Sequence, residues 1–144
     1  MRHLFLLFGL FLTGCGSTPA ALTRHGVLEI SAAWANPAPA TGVGGVYFIL
    51  ANTGSTADRL VGATSELAPA AEIHTTTQTN QHAQMRPAFG LDLPANSRVQ
   101  LAPGSHHVML INLNTALRAG ETYTLTLRFE QAGAVTVPFV VRQP

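Results

Sequence analysis

From Val27 onward, short alternating or continuously apolar runs recur along the chain, separated by turn-forming residues. No window sustains the three-to-four-residue apolar period of an amphipathic helix. The pattern predicts strands over 27–34, 45–52, 59–65, 71–76, 97–102, 107–113, 122–130 and 134–141. In the run from Thr122 to Phe129, strict alternation puts Tyr123, Leu125, Leu127 and Phe129 on one face, which should meet the core. Between the runs, Asn36 to Pro39, Asn52-Thr53-Gly54, Pro94-Ala95-Asn96, Pro103-Gly104, Ala119-Gly120 and Ala132-Gly133 supply the fixed or positive φ that turns require. Strands spaced about 8 to 12 residues apart predict an all-β sandwich or barrel. The longest stretch without strand character, Gln78 to Pro94, contains Met85 and is expected to be a functional loop.

The first residues follow a different pattern. Arg2 precedes an apolar run from Leu4 to Leu12, then small residues and Cys15. That run is about nine residues, far short of the roughly 20 that span a bilayer as a helix, so it reads as a signal peptide. Leu12-Thr13-Gly14-Cys15 resembles the lipobox of bacterial lipoproteins, which implies cleavage after Gly14 and acylation of Cys15. Two or more acyl chains anchor stably where one would be marginal. The expected organisation is a signal peptide over 1–14, an acylated cysteine and flexible tether over 15–26, and one domain over 27–144. The protein is thus expected to be exported and held to a membrane on its extracytoplasmic face.

Composition narrows the function classes. Hydrophobic residues make up 47% and charged residues 10%, as an apolar leader followed by a β-rich domain would give. All basic residues are arginines scattered singly, so no basic stripe could track a nucleic-acid backbone. Removing Arg2 with the leader would leave seven arginines against the 7 acidic residues, and long-range steering would be weak. Cys15 is the only cysteine, so the domain has no disulfide, no redox pair and no thiolate metal site.

The candidate chemistry lies in histidine and methionine. Beyond the initiator, Met85 follows His74 and His82, and Met109 follows His106 and His107. His74, Met85, His107 and Met109 read as H-x10-M-x21-H-x-M. Thioether sulfur is a soft neutral donor that suits Cu(I), whereas imidazole serves copper and zinc alike. A set of two methionines and two histidines without carboxylate favours reduced copper over zinc or a hard cation. Strand alternation puts His107 and Met109 on one face with Val108 pointing away. Taken singly, each residue has a structural explanation; Met109 in VMLINL could fill a core.

The constellation resembles the PCuAC family of periplasmic copper chaperones, whose signature has this same spacing. The resemblance extends through Ala33-Trp34-Ala35, Gly45 to Gly54, Asp58 to Ala63, Glu72-Ile73-His74, Met85-Arg86-Pro87, Leu93-Pro94-Ala95 and His107 to Leu110. It implies a cupredoxin-like, Greek-key β-sandwich or barrel and Cu(I) held by His74, Met85, His107 and Met109. It also implies copper delivery toward cytochrome c oxidase, at the subunit with the binuclear copper site, alongside Sco-type copper proteins. Ala83 stands where many relatives carry a second methionine, and the chain lacks a His- and Met-rich tail. His74 is expected near a strand end, and Met85 on a loop as the ligand released first.

Other classes fare worse. A cupredoxin that transfers electrons needs a thiolate ligand inside the domain. Catalysis needs an activated nucleophile or an acid/base pair, and Asp58, Glu66, Glu72 and Asp92 are scattered. The alternative is a structural or ligand-binding β-sandwich lipoprotein with incidental histidines and methionines.

Overall fold

A computed structural model describes residues 21–80 and 82–143. The leader and Cys15 lie outside the described residues. The strands are β1 (Thr23–His25), β2 (Leu28–Ala35), β3 (Val43–Asn52), β4 (Asp58–Thr64), β5 (Ala70–Thr79), β6 (His82–Pro87), β7 (Leu91–Leu93), β8 (Ser97–Leu101), β9 (His106–Ile111), β10 (Thr122–Phe129) and β11 (Gly133–Val141). They form one sheet in the order β6-β5-β9-β3-β2-β11-β10-β4-β7, with β1 added to β2 and β8 to β3. All pairings are antiparallel except β11 with β2. The sheet curls until β4 and β5, distant in hydrogen-bond order, pack on each other. The all-β architecture expected from the sequence is the one observed.

Alternation sorts the residues. Val46, Phe48 and Leu50 of β3, Val108 and Leu110 of β9, and Ile73 of β5 face inward with Leu125, Leu127 and Phe129 of β10. Each such side chain contributes roughly 1.5–3 kcal/mol when fully withdrawn from water. The outer face of β2, β3, β9, β5 and β6 carries the intervening residues.

Strand β2 breaks its own alternation. Leu28 and Ile30 are buried, and so are Ala33 and Ala35, one residue out of phase. The register against β3 slips between Ser31 and Trp34, where Ala32 adopts a φ of 52°. This bulge inserts one residue and turns Trp34 from the core to the outer face, opposite Tyr47.

Three strands lay outside the expected set. The end of the expected tether forms β1, because Gly26, at φ 58°, closes a two-residue turn under the His25–Leu28 pair. Strand β7 buries Leu91 and Leu93, too short a run to register as a pattern. The expected loop around Met85 is largely the hairpin of β5 and β6, turning at Asn80 with φ 47°. Every residue of β6 is exposed, so no alternation marks it as a strand.

Candidate metal centre

The register brings the candidate residues onto one face. His74 of β5 lies directly opposite His107 of β9. Met109 is opposite Glu72 on one side and Gly45 of β3 on the other. Met85 of β6 is opposite Thr76 of β5. His74 therefore has Met109 and Met85 as diagonal neighbours on its two flanking strands, each about 7–8 Å away by sheet geometry. His74 sits mid-strand rather than near an end, and Met85 is on a strand rather than a loop.

The two imidazoles lie side by side. Their ring centroids are 5.7 Å apart with planes inclined at 54°. A metal about 2 Å from each donor nitrogen puts two imidazole centroids on the order of 5 to 6 Å apart. His74 Nε2 lies 2.9 Å from Glu72 Oε2, which leaves Nδ1 buried and without a partner. His107 Nε2 is likewise buried and unpartnered, and the Ser105 backbone is a hydrogen-bonding neighbour of its ring. Each ring thus has one nitrogen satisfied by the protein and one free lone pair, the arrangement in which an outer partner fixes the tautomer of a metal-binding histidine. Thr76 Oγ1, also buried and unpartnered, lies on the same face. Leaving such groups unpaired costs about 1–3 kcal/mol each, so the sequence maintains them at the expense of stability.

His107 is 2% exposed although it belongs to the outer face. Tyr47 covers it at a ring distance of 6.0 Å, and Trp34 stacks on Tyr47 at 4.8 Å. The Arg142 guanidinium lies 5.2 Å from the Trp34 ring centre. Burial pushes the His107 pKa below its ordinary value. The Ser105 hydrogen bond opposes this shift, and the neighbouring His74 and His106 add to it. The ring is therefore held neutral, as a metal ligand must be. Burial pushes the Tyr47 hydroxyl pKa up. Among the described residues, no group of three or more His, Cys, Asp or Glu could hold a metal ion.

The methionines differ. Met109 is half-buried beside His107, whereas Met85 is 59% exposed. On a flat sheet their Cα atoms, two strands and four residue steps apart, would be about 16 Å from each other. Two thioether arms cannot bridge that span through one ion. Pairing of β5 with β9 ends at Thr75, and beyond it β5 and β6 run on as a two-stranded ribbon, the most strongly twisted form of sheet. Met85 stands where this ribbon leaves the sheet, so its approach to the His pair depends on how far the ribbon curls. His106 and His82 face away from the site: His106 Nδ1 lies 2.8 Å from Thr75 Oγ1, and His82 pairs with Thr79 at the hairpin tip.

Glu72, Trp34, Tyr47 and Thr76 complete the face, and none was singled out for a role from sequence. Glu72 and Thr76 carried a signal, since each is two residues from His74 on the same strand. Trp34 did not, because the Ala32 bulge reverses its side.

Residues 28–141 match the family model LpqE-like, described as "Putative lipoprotein LpqE-like". The chain belongs to the LpqE-like family. A relative from Leifsonia xyli subsp. xyli, "Putative lipoprotein Lxx21020", is 35% identical over 137 residues, covering 91% of this chain and 82% of that protein. Among solved structures, the copper-bound PCuAC domain from PmoF2 superposes with a TM-score of 0.72 at 28% identity, covering 86% of this chain and 99% of the domain. The Cu(I) form of DR1885 from Deinococcus radiodurans matches with a TM-score of 0.60 at 27% identity, over 89% of this chain and 83% of that one. This LpqE-like chain therefore has the cupredoxin-like fold of PCuAC domains, the family its motif resembles.

Proposed function

We propose that this protein is an extracytoplasmic copper chaperone that holds Cu(I) through His74, Met85, His107 and Met109 and passes it on by ligand exchange. The observation that carries the reading is the pair of buried, unpartnered nitrogens, His74 Nδ1 and His107 Nε2, on opposed residues of neighbouring strands. Copper in the matched PmoF2 domain and in DR1885 supports it. So does the donor set, since two thioethers and two neutral imidazoles stabilise the reduced ion.

The residues divide the work. His74 and His107 are pre-set, each with its outer nitrogen already bonded, and Met109 is fixed beside them on β9. Met85, exposed on the ribbon, closes the site and is the first donor displaced when an acceptor's ligand arrives. Although Met85 lies on a strand and not on a loop, its exposure on a two-stranded ribbon supports its role as the releasing ligand. In this reading the role is carriage rather than catalysis. The lipobox at Cys15, together with relatives described as lipoproteins, supports membrane anchoring outside the cytoplasm. The acceptor in this reading is the binuclear copper site of cytochrome c oxidase, reached directly or through Sco-type proteins.

Anaerobic titration with Cu(I) against a competing chelator tests the proposal. One equivalent should bind, and a His74→Ala, His107→Ala double variant should lose it. Equal affinity in that variant would refute the site.

A further inference from the structure

Glu72 is not among the four donors, yet it is bound to one of them. Its carboxylate Oε2 lies 2.9 Å from His74 Nε2, with the His74 side chain 13% exposed and the Glu72 side chain 45%. The two residues share a face of β5, and Glu72 stands directly opposite Met109 of β9. It thus touches the site from the side of the fixed methionine, away from the ribbon that carries Met85.

A neutral imidazole can carry its proton on either nitrogen, and its ring can turn over about the Cβ–Cγ bond. Only one combination both satisfies the carboxylate and leaves a lone pair inward: Nε2–H toward Glu72 and a bare Nδ1 in the buried position. The opposite tautomer would set a lone pair against the carboxylate and occupy Nδ1 with a proton that has no acceptor. His107 has only the uncharged Ser105 carbonyl in the equivalent place. The two histidines are therefore unlike, and the negative charge lies on the His74 side alone.

We propose that Glu72 is the positioning residue of this site, holding His74 in its Nε2–H tautomer and orientation so that Nδ1 is the donor. Resting on the Cu(I) reading above, it has a second effect: its charge offsets that of a monovalent ion whose other neighbours are all neutral. Loss of an outer partner of this kind commonly lowers metal affinity 10–100-fold.

The test has a copper-free arm and a copper arm. Long-range 1H–15N spectra of the copper-free protein should show His74 as a single Nε2–H tautomer with a slowly exchanging, deshielded Nε2 proton. In Glu72→Leu that proton signal should vanish and the two nitrogen shifts should move toward the mixture of free imidazole, while His107 keeps its shifts as the control for intact folding. Glu72→Gln retains an acceptor oxygen and should keep the tautomer. In the copper arm, Glu72→Leu should bind Cu(I) roughly 10–100-fold more weakly than the natural chain. His74 spectra identical in the natural chain and Glu72→Leu would overturn the proposal, as would unchanged copper affinity in Glu72→Leu. If the natural chain itself took up no Cu(I), the copper reading would fall, while the spectra would still decide the role of Glu72.

Discussion

Burial of His107 sets a pH dependence that is independent of copper. Its folded pKa lies below the ordinary value, chiefly because burial disfavours the charged ring. The unfolded chain therefore binds more protons as pH falls through about 6.5, and unfolding becomes easier. The stability of the copper-free protein should be constant above that range and decline below it. Urea midpoints at pH 7.5 and pH 5 would show this, and His107→Gln should flatten the difference. Gly45 makes a sharper steric demand. A Cβ there would stand 2.7 Å from the Tyr47 hydroxyl, so Gly45→Ala must displace the ring that covers His107. We expect it to weaken Cu(I) binding several-fold, with Tyr47 fluorescence or NMR shifts reporting the displacement. At this scale the sequence nominated candidate donors and was silent about their hydrogen-bond partners. Donor softness and spacing pointed to His74, Met85, His107 and Met109, but which ring nitrogen is free depends on Glu72 and Ser105, through hydrogen bonds that no pattern of residue types encodes.

Among the elements, β2 and the β5–β6 hairpin decide the geometry. The bulge in β2 puts Ala32 in the left-handed region, which costs an L-residue about 1–2 kcal/mol. Ala32→Gly should be neutral or slightly stabilising, whereas Ala32→Val should destabilise by at least about 1 kcal/mol and disturb Trp34; thermal melts with tryptophan fluorescence separate the two. The hairpin behaves differently. Met85 is exposed and outside the core, so Met85→Ala should change stability by no more than about 0.5 kcal/mol. The same substitution should weaken Cu(I) binding and alter the rate of copper transfer to a chelator, and Gln100→Ala should do neither. The strands of the core were legible because alternation records burial on one face. The ribbon was not, since both its faces meet water and its strand character comes from backbone pairing alone. The side that Trp34 faces was not legible either, because a single inserted residue reverses every later side chain.

For the whole molecule, the curled sheet sets the four candidate residues on its outer face, where in the proposed role copper would enter and leave without opening the core. Lipid attachment would keep that platform near membrane-bound acceptors. A Cys15→Ser variant should appear in the soluble extracytoplasmic fraction with its copper affinity intact, and cell fractionation with a copper assay would check both. Fold class was readable because a long series of short apolar runs has few other solutions. The central claim is that the two histidines and two methionines converge on one Cu(I). X-ray absorption on the protein loaded with one equivalent tests it most directly, and should show two nitrogen and two sulfur neighbours. A spectrum with no sulfur neighbour would contradict it.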